Sequence, residues 1–270
     1  MEKKGISISI LGCGWLGKPL ALHLQAKGYD ITGSRTTEEG VKELAHLGIK
    51  AMQVVMNEEQ LEAPAAFWQA DILIVNVPPR IQRGAEAYIA ETRLLCTQIR
   101  SARIKKVIFV SSTSVYPNIN DRVTEECADP PESANGEALL AAEKLLCGMR
   151  GIKTTVLRFG GLSGYDRIPV EKSRNKLPQY VPVNVIHRDD CIGIIERVIE
   201  KDVWGEIFNA CASGHPLRYY YLQAAAEARG LPKPRRKPLG DEESYKIVTN
   251  VKLKKILEYK FLYDDPLKFF

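Results

Sequence analysis

The sequence predicts an α/β protein built on a doubly wound parallel sheet, and three observations lead to that prediction. Apolar runs of strand length alternate with stretches of helical periodicity through the first 160 residues, which is the pattern of repeated β-α-β units. Two of the runs, Asp71–Val77 and Lys106–Val110, are almost continuously apolar, as expected of strands buried on both faces. A glycine-rich turn joins the first run to the first helical stretch. In such a sheet, ligands bind at the carboxyl ends of the strands.

The glycine-rich turn lies within Ile6–Ala21, where Gly12, Gly14 and Gly17 have the spacing G-x-G-x-x-G. Gly12 permits a tight turn, Gly14 lets a pyrophosphate approach the backbone, and Gly17 lets the helix pack close to the strand. The free N–H groups at the helix start then face the phosphates. The turn therefore predicts a dinucleotide-binding, Rossmann-type sheet, with an ordinary glycine-rich β-α turn as the alternative. The predicted contacts are Gly12, Cys13, Gly14, Trp15, Leu16 and Gly17.

The end of the second predicted strand, Tyr29–Gly33, indicates which dinucleotide binds. In this fold a carboxylate here contacts the ribose hydroxyls of NAD, whereas an arginine accommodates the 2′-phosphate of NADP. The strand runs into Ser34, Arg35 and Thr36. Arg35 offers planar, bidentate donors to a phosphate, and the two neighbouring hydroxyls support it. We therefore predict NADP as the cofactor, with NAD, and a merely solvated Arg35, as the alternatives.

The remaining elements follow in alternation along the chain. Apolar residues at helical spacing, with glycine as a stop signal, predict helices at Thr37–Leu47, Glu58–Trp68, Ala85–Arg100, Glu137–Met149, Asp190–Lys201 and Leu217–Arg229. Strands are predicted at Ile49–Val55, Asp71–Val77, Lys106–Val110, Lys153–Leu157 and Ile207–Ala210. The strand ends supply further predicted cofactor contacts at Asn76, Val77, Pro78, Ser111 and Phe159. We expect residues 1–160 to form the cofactor domain and 161–270 a smaller C-terminal substrate lobe, and leave open whether late segments return to the sheet.

Composition excludes several classes of function. Lys and Arg number 38 against 33 Asp and Glu, a net charge of +5 that is spread along the chain, so nucleic-acid binding is not indicated. The one dense basic stretch, KPRRK at 233–237, reads as a solvated loop. We expect no membrane span and no signal peptide. The six cysteines lack C-x-x-C spacing, which favours reduced thiols in the cytoplasm. The four histidines lack ligand spacing, so no metal is predicted.

Several segments resemble the extended short-chain dehydrogenase/reductase superfamily, which includes the NAD-dependent epimerase/dehydratase family. They are SSTSVY at 111–116, LLAAEKLL at 139–146, LRFGGLSG at 157–164, VNVIHRDDC at 183–191 and IFNAC at 207–211. GWLGKPLA, TGSRTT and the late NAC-x-x-x-HP are most similar to the YeeZ-like atypical subgroup. The resemblance implies an NAD(P) cofactor and a small polar substrate such as a nucleotide sugar. The same resemblance is compatible with a homodimer, because members of the superfamily often dimerise.

The chain departs from this superfamily at its catalytic pair. Alignment of AAEKLL with the helix that carries the family's Tyr-x-x-x-Lys puts Asn135 at the tyrosine and Leu139 at the lysine. Neither side chain can exchange a proton near neutral pH. The resemblance places Ser112 at the catalytic Ser/Thr position, and Tyr116 is the nearest phenol in sequence. We name these two as catalytic candidates, with packing at a strand end as the alternative for Tyr116.

Three later residues are candidates for substrate binding. Ser163 and Arg167 fall where the family's substrate loop lies, and Arg167 suits an anionic group. His187 lies in the segment that resembles N-x-I-H-x-x-D, where a hydrogen-bonded structural histidine is the alternative. We expect a substrate cleft between the main sheet and the late lobe, floored by Ser112 and Tyr116.

Two functions remain open from the sequence. The first is an NADP(H)-dependent epimerase, dehydratase or reductase-like enzyme that uses a displaced acid/base. The second is a non-catalytic NADP(H) sensor or scaffold, similar to the NmrA-like members of the superfamily. The absent Tyr/Lys pair favours the second. The glycine turn, Ser112 and the substrate lobe favour the first, which we prefer.

Overall fold

The computed structural model describes residues 5–127, 129–167, 180–235 and 243–270. Residues 236 and 237 of the basic stretch lie outside these ranges. The chain divides into two compact units, each assembled from separate segments. The first unit comprises Met1–Ser111, Ser133–Leu157 and Ile195–Ile207, and the second comprises Ser112–Glu132, Arg158–Ile194 and Phe208–Phe270. Each unit thus takes segments from both sides of residue 160, where the sequence suggested a single boundary.

Strands and helices alternate along the described chain. The strands are β1 (Ser7–Leu11), β2 (Asp30–Arg35), β3 (Lys50–Gln53), β4 (Val55–Met56), β5 (Leu61–Glu62), β6 (Ile72–Val75), β7 (Lys106–Ser112), β8 (Asp121–Val123), β9 (Lys153–Phe159), β10 (Gly161–Ser163), β11 (Val185–His187), β12 (Ile207–Ala210) and β13 (Lys246–Val248). The helices are α1 (Gly17–Ala26), α2 (Glu38–His46), α3 (Ala85–Arg100), α4 (Ala134–Cys147), α5 (Arg188–Glu200), α6 (Arg218–Glu227) and α7 (Val251–Leu257). None of the helices in the described ranges is long and apolar enough to cross a bilayer.

The main sheet has seven strands in the order β12-β9-β7-β6-β1-β2-β3. β1 pairs in parallel with β2 and β6, and the β2–β3 and β6–β7 pairs are also parallel. The chain builds outward from β1 to β3 and then returns to β6 on the other side of β1. This confirms the predicted doubly wound fold, and the reversal between β1 and β6 is the point where ligands bind in such sheets.

Burial explains why the central strands have the sequences they do. All four residues of β6, Ile72–Val75, are buried, as are Ile8 and Ile10 of β1. Parallel strands covered by helices on both faces require apolar side chains at successive positions, not only at alternate ones. The predicted helix Ala85–Arg100 and strand Ile207–Ala210 have the predicted bounds.

The helix predicted at Glu58–Trp68 is wrong. The segment instead contains β5, which pairs antiparallel with β4, and a 3-10 turn at Ala65–Gln69. The Asn57 side chain accepts hydrogen bonds from the N–H groups of Glu59 and Gln60, which closes a turn that competes with helix. Pro64 then precedes the 3-10 turn and cannot donate a helical hydrogen bond.

The second unit contains two short parallel strand pairs that the sequence did not predict. β10 pairs with β11, and β8 pairs with β13 through the register Asp121–Lys246 to Val123–Val248. The Asn184 amide extends the second pair, since its Nδ2 donates to the Lys246 carbonyl at 2.9 Å and its Oδ1 accepts from the Val248 N–H at 2.8 Å. The β8–β13 pair brings together segments more than a hundred residues apart.

Candidate functional site

A pocket of about 400 Å³ in the first unit lies at the carboxyl ends of β1, β2 and β6. Its lining contains residues from all three of the strand ends that the sequence singled out there. The lining residues are Leu11, Gly12, Cys13, Gly14, Ser34, Arg35, Thr36, Val54, Met56, Asn76, Val77, Pro78 and Arg80. Among them are two arginines and no carboxylate. We call this the glycine-loop pocket.

The three glycines of the turn differ in the space around them. Gly12 has a φ of +98°, and a Cβ there would lie 2.6 Å from the Asn76 carbonyl oxygen. A Cβ at Gly17 would lie 2.3 Å from the Gly12 carbonyl oxygen. At Gly14 no described protein atom comes within 4 Å of the Cβ position. The outer glycines therefore shape the turn, whereas Gly14 leaves room beside the backbone, as a bound pyrophosphate requires.

Hydrogen bonds hold the turn in place. The Gly12 N–H donates to the Ser34 hydroxyl at 3.0 Å, and the Cys13 N–H donates to the Ser34 carbonyl at 2.9 Å. The Asn76 Nδ2 donates to the Gly12 carbonyl at 2.9 Å. The turn is thus tied to β2 and to the end of β6, so a ligand would meet a preformed backbone. The buried Ser34 hydroxyl serves this support. Burial also raises the pKa of the Cys13 thiol to about 11, which keeps it neutral.

Arg35, the predicted 2′-phosphate ligand, contacts the backbone of the glycine-rich turn. Its Nη1 donates to the Cys13 carbonyl at 3.0 Å, and its Nη2 lies 3.8 Å from the Glu43 carboxylate. Gly40 makes room for it, because a Cβ at Gly40 would lie 2.7 Å from the Arg35 Nε. About a third of the side chain remains exposed, at 33%. The guanidinium is therefore held at the pocket edge with surface left for an anion.

Other predicted cofactor contacts lie outside the lining of this pocket. Trp15 and Leu16 continue from the loop toward α1, and Leu16 is buried. The buried Ser111 hydroxyl donates to the Glu143 carboxylate at 2.6 Å. Phe159 is buried in the second unit. Their contact with a cofactor stays a prediction.

A second pocket, of about 760 Å³, lies within the second unit. Most of its lining residues carry hydroxyl, amide or charged side chains. The lining residues are Ser112, Thr113, Ser114, Asn118, Gly161, Val181, Pro182, Val183, Asn184, Val185, Arg218, Tyr221, Leu222, Glu243, Ser244, Tyr245 and Lys246. Ser112 thus faces a cavity, and its hydroxyl also accepts from the Ser114 N–H at 3.1 Å. We call this the polar pocket. The cleft expected between sheet and lobe stays a prediction, because each pocket lies within one unit.

Tyr116 does not line the polar pocket. Its side chain is buried, its hydroxyl donates to the Asn209 Oδ1 at 2.7 Å, and it accepts from the Arg158 Nη1 at 2.5 Å. The Arg158 guanidinium also lies 4.9 Å from the ring centre. Burial raises the pKa of Tyr116 to about 12, against the opposing effect of Arg158. The phenol is therefore a neutral member of a buried network.

The three predicted substrate residues are not brought together in the polar pocket. Ser163 is buried and accepts from the Tyr221 hydroxyl at 2.9 Å. His187 is buried against Tyr263, with ring centres 3.7 Å apart, and burial lowers the pKa of His187 below its usual value. Arg167 is exposed, with its N–H donating to the Gly164 carbonyl at 3.0 Å. Ser163 lies outside the pocket lining and contacts Tyr221, which belongs to it.

Asn135 and Leu139, which occupy the family's Tyr and Lys positions, lie at the start of helix α4 in the first unit. Asn135 lies in the first turn of α4, next to the Ser133 cap, whose hydroxyl accepts from the Gly136 N–H at 3.1 Å. Leu139 is buried, with 3% of its surface exposed. A cap at Ser133 and an apolar contact one turn later are what a helix start requires.

Sequence reasoning missed the charged residues of the polar pocket. Arg218, Glu243 and Lys246 all lie in the late part of the chain, where no motif marked them. The pairing of β8 with β13 and the Asn184 bonds to β13 bring Lys246 into the lining that also contains Ser112. No group of three metal-ligating side chains lies within the part of the chain that the structure describes.

Comparison with known proteins identifies the family. Residues 8–183 match the model of the NAD-dependent epimerase/dehydratase family. The chain is 32% identical to Protein YeeZ of Escherichia coli K12 over 266 residues, covering 96% of this chain and 97% of YeeZ. Among the solved structures on which the chain superposes are two enzymes, each under 20% identical, which show the fold alone.

The first is UDP-glucose 4-epimerase of Thermotoga maritima with UDP-glucose (TM-score 0.78, 18% identity, covering 98% of this chain and 97% of that one). The second is dTDP-glucose 4,6-dehydratase of Bacillus anthracis with NAD (TM-score 0.76, 15% identity, covering 98% and 94%). With the family match over most of its length and a near full-length relative, the chain belongs to the NAD-dependent epimerase/dehydratase family.

Proposed function

We propose that this protein is an NADP(H)-dependent enzyme that acts on a small polar substrate of the nucleotide-sugar class. The observation that carries the cofactor choice is the lining of the glycine-loop pocket, which contains Arg35 and Arg80 and no carboxylate; Glu43, which lies near Arg35, is outside that lining. An NAD-specific pocket of this fold presents a carboxylate to the ribose hydroxyls. The 2′-phosphate of NADP instead requires a planar arginine that can donate hydrogen bonds to it.

The substrate class rests on the polar pocket and on the relatives. UDP-glucose occurs in the Thermotoga structure, and NAD in the Bacillus structure. The polar pocket offers Arg218 and Lys246 for a negative charge and several hydroxyls and amides for sugar oxygens. All six cysteines are free, which supports a reducing, cytoplasmic location.

The chain's own residues have separable tasks in this function. Gly12, Gly14 and Gly17 shape the backbone that receives the pyrophosphate, and Arg35 binds the 2′-phosphate. Ser112 offers a hydrogen-bond donor to a substrate oxygen in the polar pocket. When bound, NADP(H) supplies the acceptor or donor of hydride.

Titration of NADPH and NADH into the wild type and Arg35→Ala tests the cofactor assignment. Hydrogen bonds to charged groups contribute about 1.5–3 kcal/mol, which is roughly a 10- to 100-fold preference for NADPH. Arg35→Ala should lose that preference while keeping its NADH affinity. The control is Arg103→Ala, which removes an exposed arginine paired with Asp71 and should keep the preference. Equal affinities in the wild type, or an unchanged preference in Arg35→Ala, would refute the assignment.

A second candidate function is NADP(H) binding without turnover, as in a sensor or scaffold. Asn135 and Leu139 favour it, because neither can replace the proton-exchanging Tyr/Lys pair. NADPH oxidation by the purified protein, screened against nucleotide sugars, keto-sugars and aldehydes, distinguishes the two. Tight NADPH binding with no oxidation above the protein-free rate would select the non-catalytic function.

A further inference from the structure

The polar pocket contains a lysine in an unusual setting. Lys246 is half-buried, and its ammonium donates to the Tyr116 carbonyl. Within the described residues, no carboxylate lies within salt-bridge distance of its Nζ. An ammonium has three donors, so this contact leaves two for a ligand. A cation held at a cavity wall without a paired carboxylate is suited to a substrate oxygen.

The backbone around Lys246 is fixed at both ends. The Lys246 carbonyl accepts from the Asn184 Nδ2, and the Val248 N–H returns a bond to the same amide. On the other side, the Tyr245 N–H donates to the Asn120 Oδ1, and the Asn120 N–H donates to the Tyr245 carbonyl. The side chain therefore starts from a rigid strand, which is the support that an acid/base residue needs.

Other groups of the pocket are less suited to exchange a proton. Arg218 stays protonated at all accessible pH values, and Glu243 attracts it electrostatically. The Tyr221 hydroxyl donates to Ser163, and burial raises its pKa to about 12. Asn118 and Asn184 carry amides that do not titrate. Tyr245 is the remaining phenol of the lining.

We propose that Lys246 is the acid/base residue of the polar pocket, whose lining also contains the Ser112 hydroxyl as a second hydrogen-bond donor for the substrate. The proposal rests on the proposed function and supplies what Asn135 and Leu139 lack. In the reducing direction, an Nζ–H bond breaks and an O–H bond forms on the substrate's carbonyl oxygen. The carbonyl carbon gains a hydride, which NADPH supplies on becoming NADP⁺. Lys246 then regains its proton from water.

The electrostatic surroundings agree with this role. Burial lowers the pKa of Lys246, and the electrostatic effects of Glu132 and Cys127 partly oppose that shift. Arg218 is a further positive charge in the lining, with Glu243 beside it. A lysine with a lowered pKa has a larger neutral fraction near neutral pH and can both accept and donate a proton.

Two measurements on the full-length protein test the proposal. In the first, an amine-reactive acetylating reagent is applied from pH 6 to 11, and mass spectrometry follows each lysine. Lys246 should reach half-maximal reactivity at a lower pH than the exposed Lys255 of the same unit. UDP-glucose in excess should slow the reaction of Lys246 but not that of Lys255. A midpoint at or above that of Lys255 would overturn the assignment, whatever the cofactor preference.

In the second, NADPH oxidation with the best substrate of the screen is compared among Lys246→Met, Lys246→Arg and the exposed control Lys255→Met. General acid catalysis contributes about 10²–10⁴-fold, so Lys246→Met should lose at least about 100-fold in kcat. Lys246→Arg should move the pH optimum upward, and Lys255→Met should stay within about threefold of the wild type, well short of that contribution. NADPH affinity should not change in any of them, so a failure here is separable from failure of the cofactor assignment. Retained turnover in Lys246→Met, or no turnover in the wild type, would overturn the proposal.

Discussion

The glycine-loop pocket and the polar pocket differ in how the chain builds them. The first is formed by three strand ends of one sheet, within residues 11–80. The second draws on five separate segments between residues 112 and 246. The first has glycines and backbone groups at its centre, whereas the second has side chains of both charges. The chain thus builds one pocket from backbone geometry and the other from side chains.

This difference makes the two pockets sensitive to different changes. At Gly12 and Gly17, a carbonyl oxygen lies so close that one added methyl group collides with an atom that cannot rotate away. Where side chains form the wall, removal of a charge alters binding or turnover and leaves the backbone in place. The following substitutions test that contrast.

The largest effect is expected from Gly17→Ala. The new Cβ would lie 2.3 Å from the Gly12 carbonyl oxygen, so the free energy of unfolding should fall by about 4 kcal/mol or more. Gly14→Ala is the matched control, because no described protein atom lies near its Cβ position. The free energy of unfolding of Gly14→Ala should lie within about 1 kcal/mol of the wild-type value. Its affinity for NADPH should nevertheless fall at least about tenfold. Urea denaturation measures the stability of each variant, and calorimetric titration measures its NADPH affinity. Equal stability of the two variants would contradict the account of the loop.

A smaller loss is expected from Leu139→Ala in α4. The side chain is buried at a position where the family has its catalytic lysine, so the variant should lose about 3 kcal/mol of stability. NADPH affinity and turnover per folded molecule should be unchanged, and the same holds for Asn135→Ala with a smaller stability change. A loss of two orders of magnitude in turnover for Asn135→Ala, with folding intact, would show that this helix does take part in catalysis.

A still smaller effect is expected from Tyr116→Phe. Loss of the hydroxyl removes its bonds to Asn209 and Arg158, which should cost about 2 kcal/mol of stability. Since the hydroxyl does not line the polar pocket, turnover should fall far less than in Lys246→Met. Thermal denaturation and the NADPH oxidation assay, run on both variants, decide between a structural and a catalytic role for Tyr116.

The sequence predicted the fold and the glycine-loop pocket because both depend on local patterns. A G-x-G-x-x-G between a strand and a helix implies its own geometry, and Arg35 follows the neighbouring strand end directly. The same logic failed at Glu58–Trp68, where a side-chain turn at Asn57 and the proline at residue 64 outweighed the apolar spacing.

The polar pocket could not be predicted in the same way. Lys246 reaches its wall because β13 pairs with β8 and because Asn184 binds the β13 backbone. Neither contact leaves a periodic or spaced signal in the sequence. Ser112 was found only through the family resemblance, and Tyr116, four residues later, turned away from the pocket into the network with Arg158.

The central claim is that Arg35 binds the 2′-phosphate of NADP(H), and ³¹P NMR of bound NADP⁺ tests it most directly. An opposite charge within about 4–6 Å favours the charged form of an acid. The bound 2′-phosphate should therefore stay dianionic to a pH at least about one unit lower than in free NADP⁺, and Arg35→Ala should abolish that difference. A 2′-phosphate that titrates in the wild-type complex as it does in free solution would contradict the claim.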